Sequence, residues 1–164
     1  MHKLCTILKG GLLTGLGMGL FVGAASADVV PIHIKVTVVE PPCTINDDRP
    51  IEIDFGDVLT TRVDGTNYRM PVNYTLSCPG AESKGMKLQV QGAPASFDGN
   101  LLQTSVTGLG IGLQQGNGSL RVNDWVNFTY PGKPELWVVP VKQLGATLPA
   151  GVFTAAASMK VEYQ

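Results

Sequence analysis

The chain has 164 residues with 12 basic and 13 acidic side chains, a net charge of -1, 44% hydrophobic residues and two histidines. That length suits one domain with its own core, and the near balance of charge excludes the basic surface that nucleic-acid binding requires. Scarce histidine removes the commonest general base and argues against a hydrolase site.

Residues 1–27 read as a secretory signal peptide. His2, Lys3 and Lys9 precede an apolar stretch over 10–22, and Ala25-Ser26-Ala27 supplies the small-residue cleavage site. The uncharged run is shorter than the ~20 residues that span a bilayer and is rich in glycine, so a membrane helix is not expected. Cleavage leaves about 137 residues from Asp28 onward, and loss of Lys3 and Lys9 moves the net charge to about -3. The mature chain keeps an even pair of cysteines, Cys43 and Cys78, in an exported context, which predicts a disulfide.

The first mature element, residues 28–40, is an alternating strand. Val30, Ile32, Ile34, Val36 and Val38 fall on one face, with Pro31, His33, Lys35 and Thr37 on the other. Further short alternating runs follow at Ile51-Ile53-Phe55, Met70-Val72-Tyr74-Leu76-Cys78, Leu88-Val90, Leu109-Ile111-Leu113 and Leu120-Val122. Residues 136–141 are apolar on both faces and read as a central strand, with Pro140 placed where no ladder donor is needed. Residues 94–102 read as a loop or short helical turn, and 123–134 as a loop anchored by Trp125, Phe128 and Tyr130. The last element is a second alternating strand over 153–163, with Phe153, Ala155, Ala157, Met159, Val161 and Tyr163 on one face, ending at Gln164. No sustained 3.6-residue period occurs, so the class is all-β, organised as a sandwich. An apolar edge strand at each end of a domain invites pairing between molecules.

Several constellations carry no chemistry. Neither glycine frame of Gly108-Leu109-Gly110-Ile111-Gly112 completes a phosphate-binding fingerprint, because Leu113 and Gln115 occupy the third positions, so the run reads as a crowded strand. Asp47, Asp48, Glu52, Asp54 and Asp57 lack calcium-loop spacing, and Glu52 and Asp54 read as a solvated strand face. Asn73, Asn117 and Asn127 head formal glycan acceptors and read as chance in a bacterial export context. Trp125, Phe128 and Tyr130 read as loop anchors in preference to a sugar platform. No catalytic residue, metal ligand or cofactor is expected.

The C-terminal pattern, with Gly151 fourteen residues from the end, alternating Phe153 to Val161 and penultimate Tyr163, resembles the signature of subunits of bacterial pili built by the chaperone-usher pathway. Pro41-Pro42-Cys43-Thr44-Ile45-Asn46, Ile51-Glu52-Ile53-Asp54-Phe55-Gly56-Asp57 and Tyr74-Thr75-Leu76-Ser77-Cys78-Pro79 are similar to minor tip subunits of P-type pili, especially the adaptor beneath the adhesin. Gly110-Ile111-Gly112-Leu113-Gln114-Gln115-Gly116 looks like a mid-chain strand of the same subunits. The resemblance implies an incomplete immunoglobulin-like β-sandwich over 41–164 that lacks its final strand, preceded by an N-terminal donor arm over 28–40. It also implies that Val30, Ile32, Ile34, Val36 and Val38 insert into a neighbour's groove by strand addition. Gly151, Phe153, Ala155, Ala157, Met159, Val161, Tyr163 and Gln164 then belong to the groove, filled first by a periplasmic chaperone that holds the terminal carboxylate. The partners implied are that chaperone, the outer-membrane usher and neighbouring pilus subunits including the adhesin, with no nucleic acid, at the cell surface in a pilus. One departure stands out: the family's donor arm usually carries glycine seven residues before the first cysteine, and this chain has Val36 there. The rival reading is a soluble exported immunoglobulin-like binding module with a complete sandwich, and within the family a rod or terminator subunit.

Overall fold

The computed structural model describes residues 35–36, 41–82 and 84–164. The expected signal peptide, and Val30, Ile32, Ile34 and Val38 of the expected arm, lie outside the described residues; Val36 is described and is 74% exposed. Within the unit spanning Val38–Gln164 the strands are, in chain order, β1 (Thr44–Ile45), β2 (Met70–Pro71), β3 (Leu76–Ser77), β4 (Gly85–Gln91), β5 (Pro94–Ala95) and β6 (Asp98–Gln103). They continue with β7 (Leu109–Gln115), β8 (Gly118–Leu120), β9 (Trp125–Thr129), β10 (Leu136–Lys142) and β11 (Ser158–Tyr163). The only helical turns described are short 3-10 pieces at Asn46–Asp48 and Thr60–Arg62.

Two sheets form the layers. One runs β2-β10-β7-β6-β5 with β8 added beside β7; the other is β11-β4-β9, and all described ladders are antiparallel. Alternation explains the packing, since Leu88, Val90 and Val126 of the second sheet meet Leu102, Ile111, Leu113, Leu120, Leu136 and Val138 of the first in one buried core. Leu88 and Met86 are fully buried. A separate β1-β3 ladder is joined by the predicted disulfide between Cys43 and Cys78, whose Cα atoms lie 4.2 Å apart.

Pro140 is tolerated for a visible reason. Its carbonyl accepts from Gly65 N–H at 3.2 Å, which turns its nitrogen toward the β2 side, and β2 pairs only with Trp137 and Val138. The missing N–H therefore faces beyond the end of a two-residue ladder. The Gly108 run is strand β7: a Cβ on Gly110 would sit 3.1 Å from Leu101 Cβ, and one on Gly112 would sit 3.3 Å from Val139 Cγ1 and Val141 Cγ2. Glycine permits that close approach across the outer face of the sheet.

The structure departs from the sequence-based elements in five places. Residues 94–102 form the β5-β6 hairpin around a Ser96-Phe97 turn, because Pro94 is tolerated as the first residue of an edge strand. Residues 125–129 form edge strand β9 on β4, with Val126 buried and Phe128 half-buried on the inner face. The expected strand over 70–78 is split into β2 and β3, which pair in different sheets. Residues 51–55 belong to no sheet. The C-terminal strand is regular only from Ser158, because β4 ends at Gln91 and its chain turns away through Gly92 and Pro94, leaving 152–157 without that partner.

Candidate functional site

Segment 51–55 is extended, with Ile51, Ile53 and Phe55 half-buried and Glu52 and Asp54 exposed, yet no described strand pairs with it. The bend that delivers it is built from Asn46, Asp47 and Asp48, all left-handed at φ 51, 53 and 58. Asn and Asp tolerate that region better than most residues, and the Asn46 side-chain amide donates to the carbonyls of Arg49 at 3.0 Å and Pro50 at 3.1 Å. The Cys43–Cys78 bond ties the root of this wall to β3.

The opposite wall is the C-terminal segment. Met159, Val161 and Tyr163 stand opposite Val90, Leu88 and Met86 of β4, which sets the apolar face of β11 inward, while no described strand lies beside the outer edge of β11. Before β11 the chain leans on the other sheet: Ala155 bridges Thr104, and Ser105 N–H donates to the Thr154 carbonyl at 2.9 Å. Gly151, at φ +140, leads into this stretch with open space around it.

Between the walls lies an open groove of about 1550 Å³, floored by the core residues Val90, Leu102, Ile111, Leu113, Leu136 and Val138. That volume exceeds the roughly 300–1,000 Å³ of small-ligand clefts, and its shape follows two extended backbones. Ala155 and Ala157 line it and are exposed, although their alternation marks them as inward-facing. Phe55 and Phe153 meet from opposite walls, ring centroids 6.0 Å apart and planes tilted by 34°. Past them Val63, Leu109 and Leu148 form a second, smaller apolar cluster against which Phe153 also packs.

The groove's far end is fixed at the terminus. Tyr163 OH donates to the Pro41 carbonyl at 3.0 Å, with Lys84 Nζ 5.5 Å from its ring. Gln164 N–H donates to the Gly85 carbonyl at 3.1 Å and its side-chain amide to the Met86 carbonyl at 3.2 Å. The solvent face of β11 is polar: Glu162 accepts from Lys160 at 2.6 Å and Lys87 at 3.0 Å, and these hydrogen bonds hold its carboxyl below the ordinary glutamate range. Trp125, on that same face, sits under Lys87 Nζ at 4.6 Å and Lys160 Nζ at 5.7 Å, so it is not part of the groove. Beneath the groove Tyr74 OH donates to the Pro134 carbonyl at 2.7 Å, and burial pushes its hydroxyl well above the usual tyrosine range.

The floor of the groove is therefore apolar, and two backbone edges that no described strand pairs flank it. Such a slot has the shape and chemistry to take an extended, apolar strand, and its described lining residues include no histidine. Among the described residues no three His, Cys, Asp or Glu side chains gather to hold a metal. The structure brings together Gly151, Phe153, Ala155, Ala157, Met159 and Val161 in the lining and places Tyr163 and Gln164 at its end. Sequence reasoning missed that Ile51, Ile53 and Phe55 are the second wall, since their alternation looks the same whether or not a partner strand exists.

Comparison with known proteins agrees with this geometry. The family profile described as Fimbrial protein matches residues 32–164. An uncharacterized fimbrial-like protein, YfcR of Escherichia coli K12, is 34% identical over 96% of this chain and 100% of its own length. The fimbrial adapter PapF of Escherichia coli is 36% identical over 58% of this chain and 56% of its own length. Among solved structures, the P pilus adaptor subunit PapF superposes with a TM-score of 0.57 at 28% identity, covering 77% of this chain and 98% of that one. The P pilus rod subunit PapA shares the fold, with a TM-score of 0.64 at 24% identity over 76% of this chain and all of that one.

Proposed function

The chain belongs to the fimbrial protein family, whose members are structural pilus proteins and not enzymes, and on that premise we propose that it is a minor tip adaptor of a chaperone-usher pilus. Its groove accepts a strand from a neighbour, and its own arm, residues 28–40, is donated to another subunit through Val30, Ile32, Ile34, Val36 and Val38. The observation that carries this reading is the groove itself: two apolar walls, Ile51-Ile53-Phe55, which no described strand pairs, and Phe153 to Val161, whose outer edge no described strand covers, flank an open slot floored by the core. An inserted strand completes both ladders and covers the floor in one step. Until then the unpaired edges require a protecting partner in the periplasm, the role assigned to a pilus chaperone, with Tyr163 and Gln164 at the end of the strand it would grip. Residues 1–27 serve export, and assembly proceeds at an outer-membrane usher toward a surface pilus that supports adhesion. Likeness to PapF, an adaptor, supports the tip position over the rod.

The test is co-expression with a pilus chaperone, followed by incubation of a groove-competent neighbour with a peptide of residues 28–40. The chain is expected to be soluble only with the chaperone, and the neighbour to capture the peptide. The double substitution Ile32→Asp and Ile34→Asp is expected to abolish capture; equal capture of both peptides rejects the donor assignment.

A further inference from the structure

The end of the groove marked by Phe55 and Phe153 carries an apolar rim outside the slot. Three large apolar side chains stand in water there: Leu144 is 100% exposed, Val152 90% and Leu59 57%. They come from three separate stretches of chain that meet at this end. Val152 immediately precedes Phe153, Leu59 follows Phe55 by four residues, and both line the groove. Leu144 sits on the turn after β10, where Lys142 Nζ donates to the carbonyl of Thr60, next to Leu59, at 3.4 Å. Gln143 N–H donates to the Gly108 carbonyl at 2.8 Å, and Ala146 N–H closes the turn onto the Gln143 carbonyl at 3.0 Å, with Gly145 left-handed at φ 78. Leu148, a few residues on, is anchored against Val63 and Leu109. The rim is thus held on hydrogen-bonded turns. Single exposed apolar residues are ordinary, but three large ones brought to one end are the kind of surface that marks contact with another protein.

The direction of the missing strand identifies that protein. In the immunoglobulin-like sandwich the absent strand would directly follow β11, and a strand joined to its sheet neighbour by a short turn returns antiparallel to it. A donated strand in that place runs against β11, so its C-terminal end emerges at Phe55 and Phe153. An arm joined to its body as 28–40 is joined here has only residues 41–43 before the first ladder residue, Thr44. Three residues span at most about 10 Å, so the body of the donor sits on this end. At the base of this chain's own arm Pro41 and Pro42 are exposed, which is apolar surface of the sort such a rim can cover.

We propose that Leu59, Leu144 and Val152 form a docking surface for the body of the strand-donating neighbour, packing on the apolar residues that follow its arm. The inference rests on the strand-accepting reading of the groove and adds a second contact outside it. The inserted strand joins the two subunits; the rim fixes how their bodies stand on one another and stiffens the joint.

The experiment uses the full chain in pili assembled by its own bacterium, with one photoreactive residue in each variant. Placed at Glu52, exposed on the groove wall, the probe reports which subunit's arm lies in the groove. Placed at Leu144 or Val152, it is expected to cross-link to that same subunit, at the residues just after its arm. Placed at Glu135, exposed at the other end of β10 from Lys142, it is expected to miss that subunit. An arm caught from Glu52, with nothing or a different subunit caught from Leu144 and Val152, overturns the rim while leaving the groove reading intact. Equal cross-linking of the donor from Glu135 and Leu144 overturns the rim as well, and no arm caught from Glu52 overturns both readings. The donor so identified is then compared with a peptide of its arm alone. Leu144→Asp, at a fully exposed site that leaves the core untouched, is expected to weaken binding of the whole donor about tenfold and to leave binding of the peptide unchanged. No loss with the whole donor, or an equal loss with the peptide, rejects the docking surface.

Discussion

Strand β7 and segment 51–55 have nearly the same apolar rhythm, Leu109-Ile111-Leu113 in one and Ile51-Ile53-Phe55 in the other. β7 is laddered to β10 on one side and to β6 and β8 on the other, and its apolar residues are at most 5% exposed. Segment 51–55 is laddered to no described strand on either side, and its apolar residues stay half-buried. Alternation thus records which face a segment must bury, not what buries it. In β7 the chain supplies the cover; along the groove no described strand does.

The largest expected break in this contrast is at the disulfide, which joins the groove wall to the closed part of the domain. Replacing Cys43 and Cys78 by serine frees a loop with a sequence separation of 35 residues, and loop-closure entropy puts the loss near 4 kcal/mol. Urea unfolding of the oxidised and substituted chains measures it. A loss below 1 kcal/mol would mean that the wall is held by its packing alone.

Next come paired truncations that sharpen the comparison directly. Leu88→Ala empties a fully buried site in the closed core and is expected to cost about 3 kcal/mol. Ile53→Ala, on the open wall, is expected to cost about 1 kcal/mol in the empty chain, because that side chain is only partly buried. With a donor strand bound, the Ile53→Ala cost is expected to rise toward that of Leu88→Ala, since the strand seals the wall. Equal costs for Ile53→Ala in the empty and occupied states would show that the incoming strand does not cover this wall.

How much was legible beforehand follows the same division. The all-β class, the disulfide, the two-faced strand at 136–141 and the inward set Met159, Val161 and Tyr163 could be read directly, because each depends on local alternation or on a count of cysteines. Strand β9 was hidden by its shortness: only Val126 and Phe128 point inward, with Trp125 outward among lysines. The β5-β6 hairpin was hidden by Pro94, whose tolerance at an edge depends on where the sheet ends. The break before Ser158 depends on β4 stopping at Gln91, a fact about another strand. For the site, the residues of the C-terminal wall were legible, but the closure of Phe55 on Phe153 was not, since nothing in either stretch states which segment lies across the gap.

The smallest expected effect concerns the outer face of the groove wall. Glu162 accepts from Lys160 and Lys87, and Lys87 lies on β4, so the carboxylate helps hold edge strand β11 to its single neighbour. Its folded-state pKa lies below its unfolded value. The contribution is therefore complete above the ordinary glutamate range and disappears as pH falls through the folded value, where the carboxyl is protonated in both states. The site is solvent-exposed, so the effect is small and screened by salt. Amide hydrogen exchange along β11 is the measurement: Glu162→Gln is expected to speed exchange of the Lys160 and Glu162 neighbourhood at neutral pH and low salt, with the difference vanishing in acid and in high salt. The Leu109-Ile111-Leu113 amides of β7, paired on both sides, should not respond. Equal acceleration in β7 would mean that the edge and the closed sheet open as one unit, and that the empty groove does not lower the local stability of its own wall.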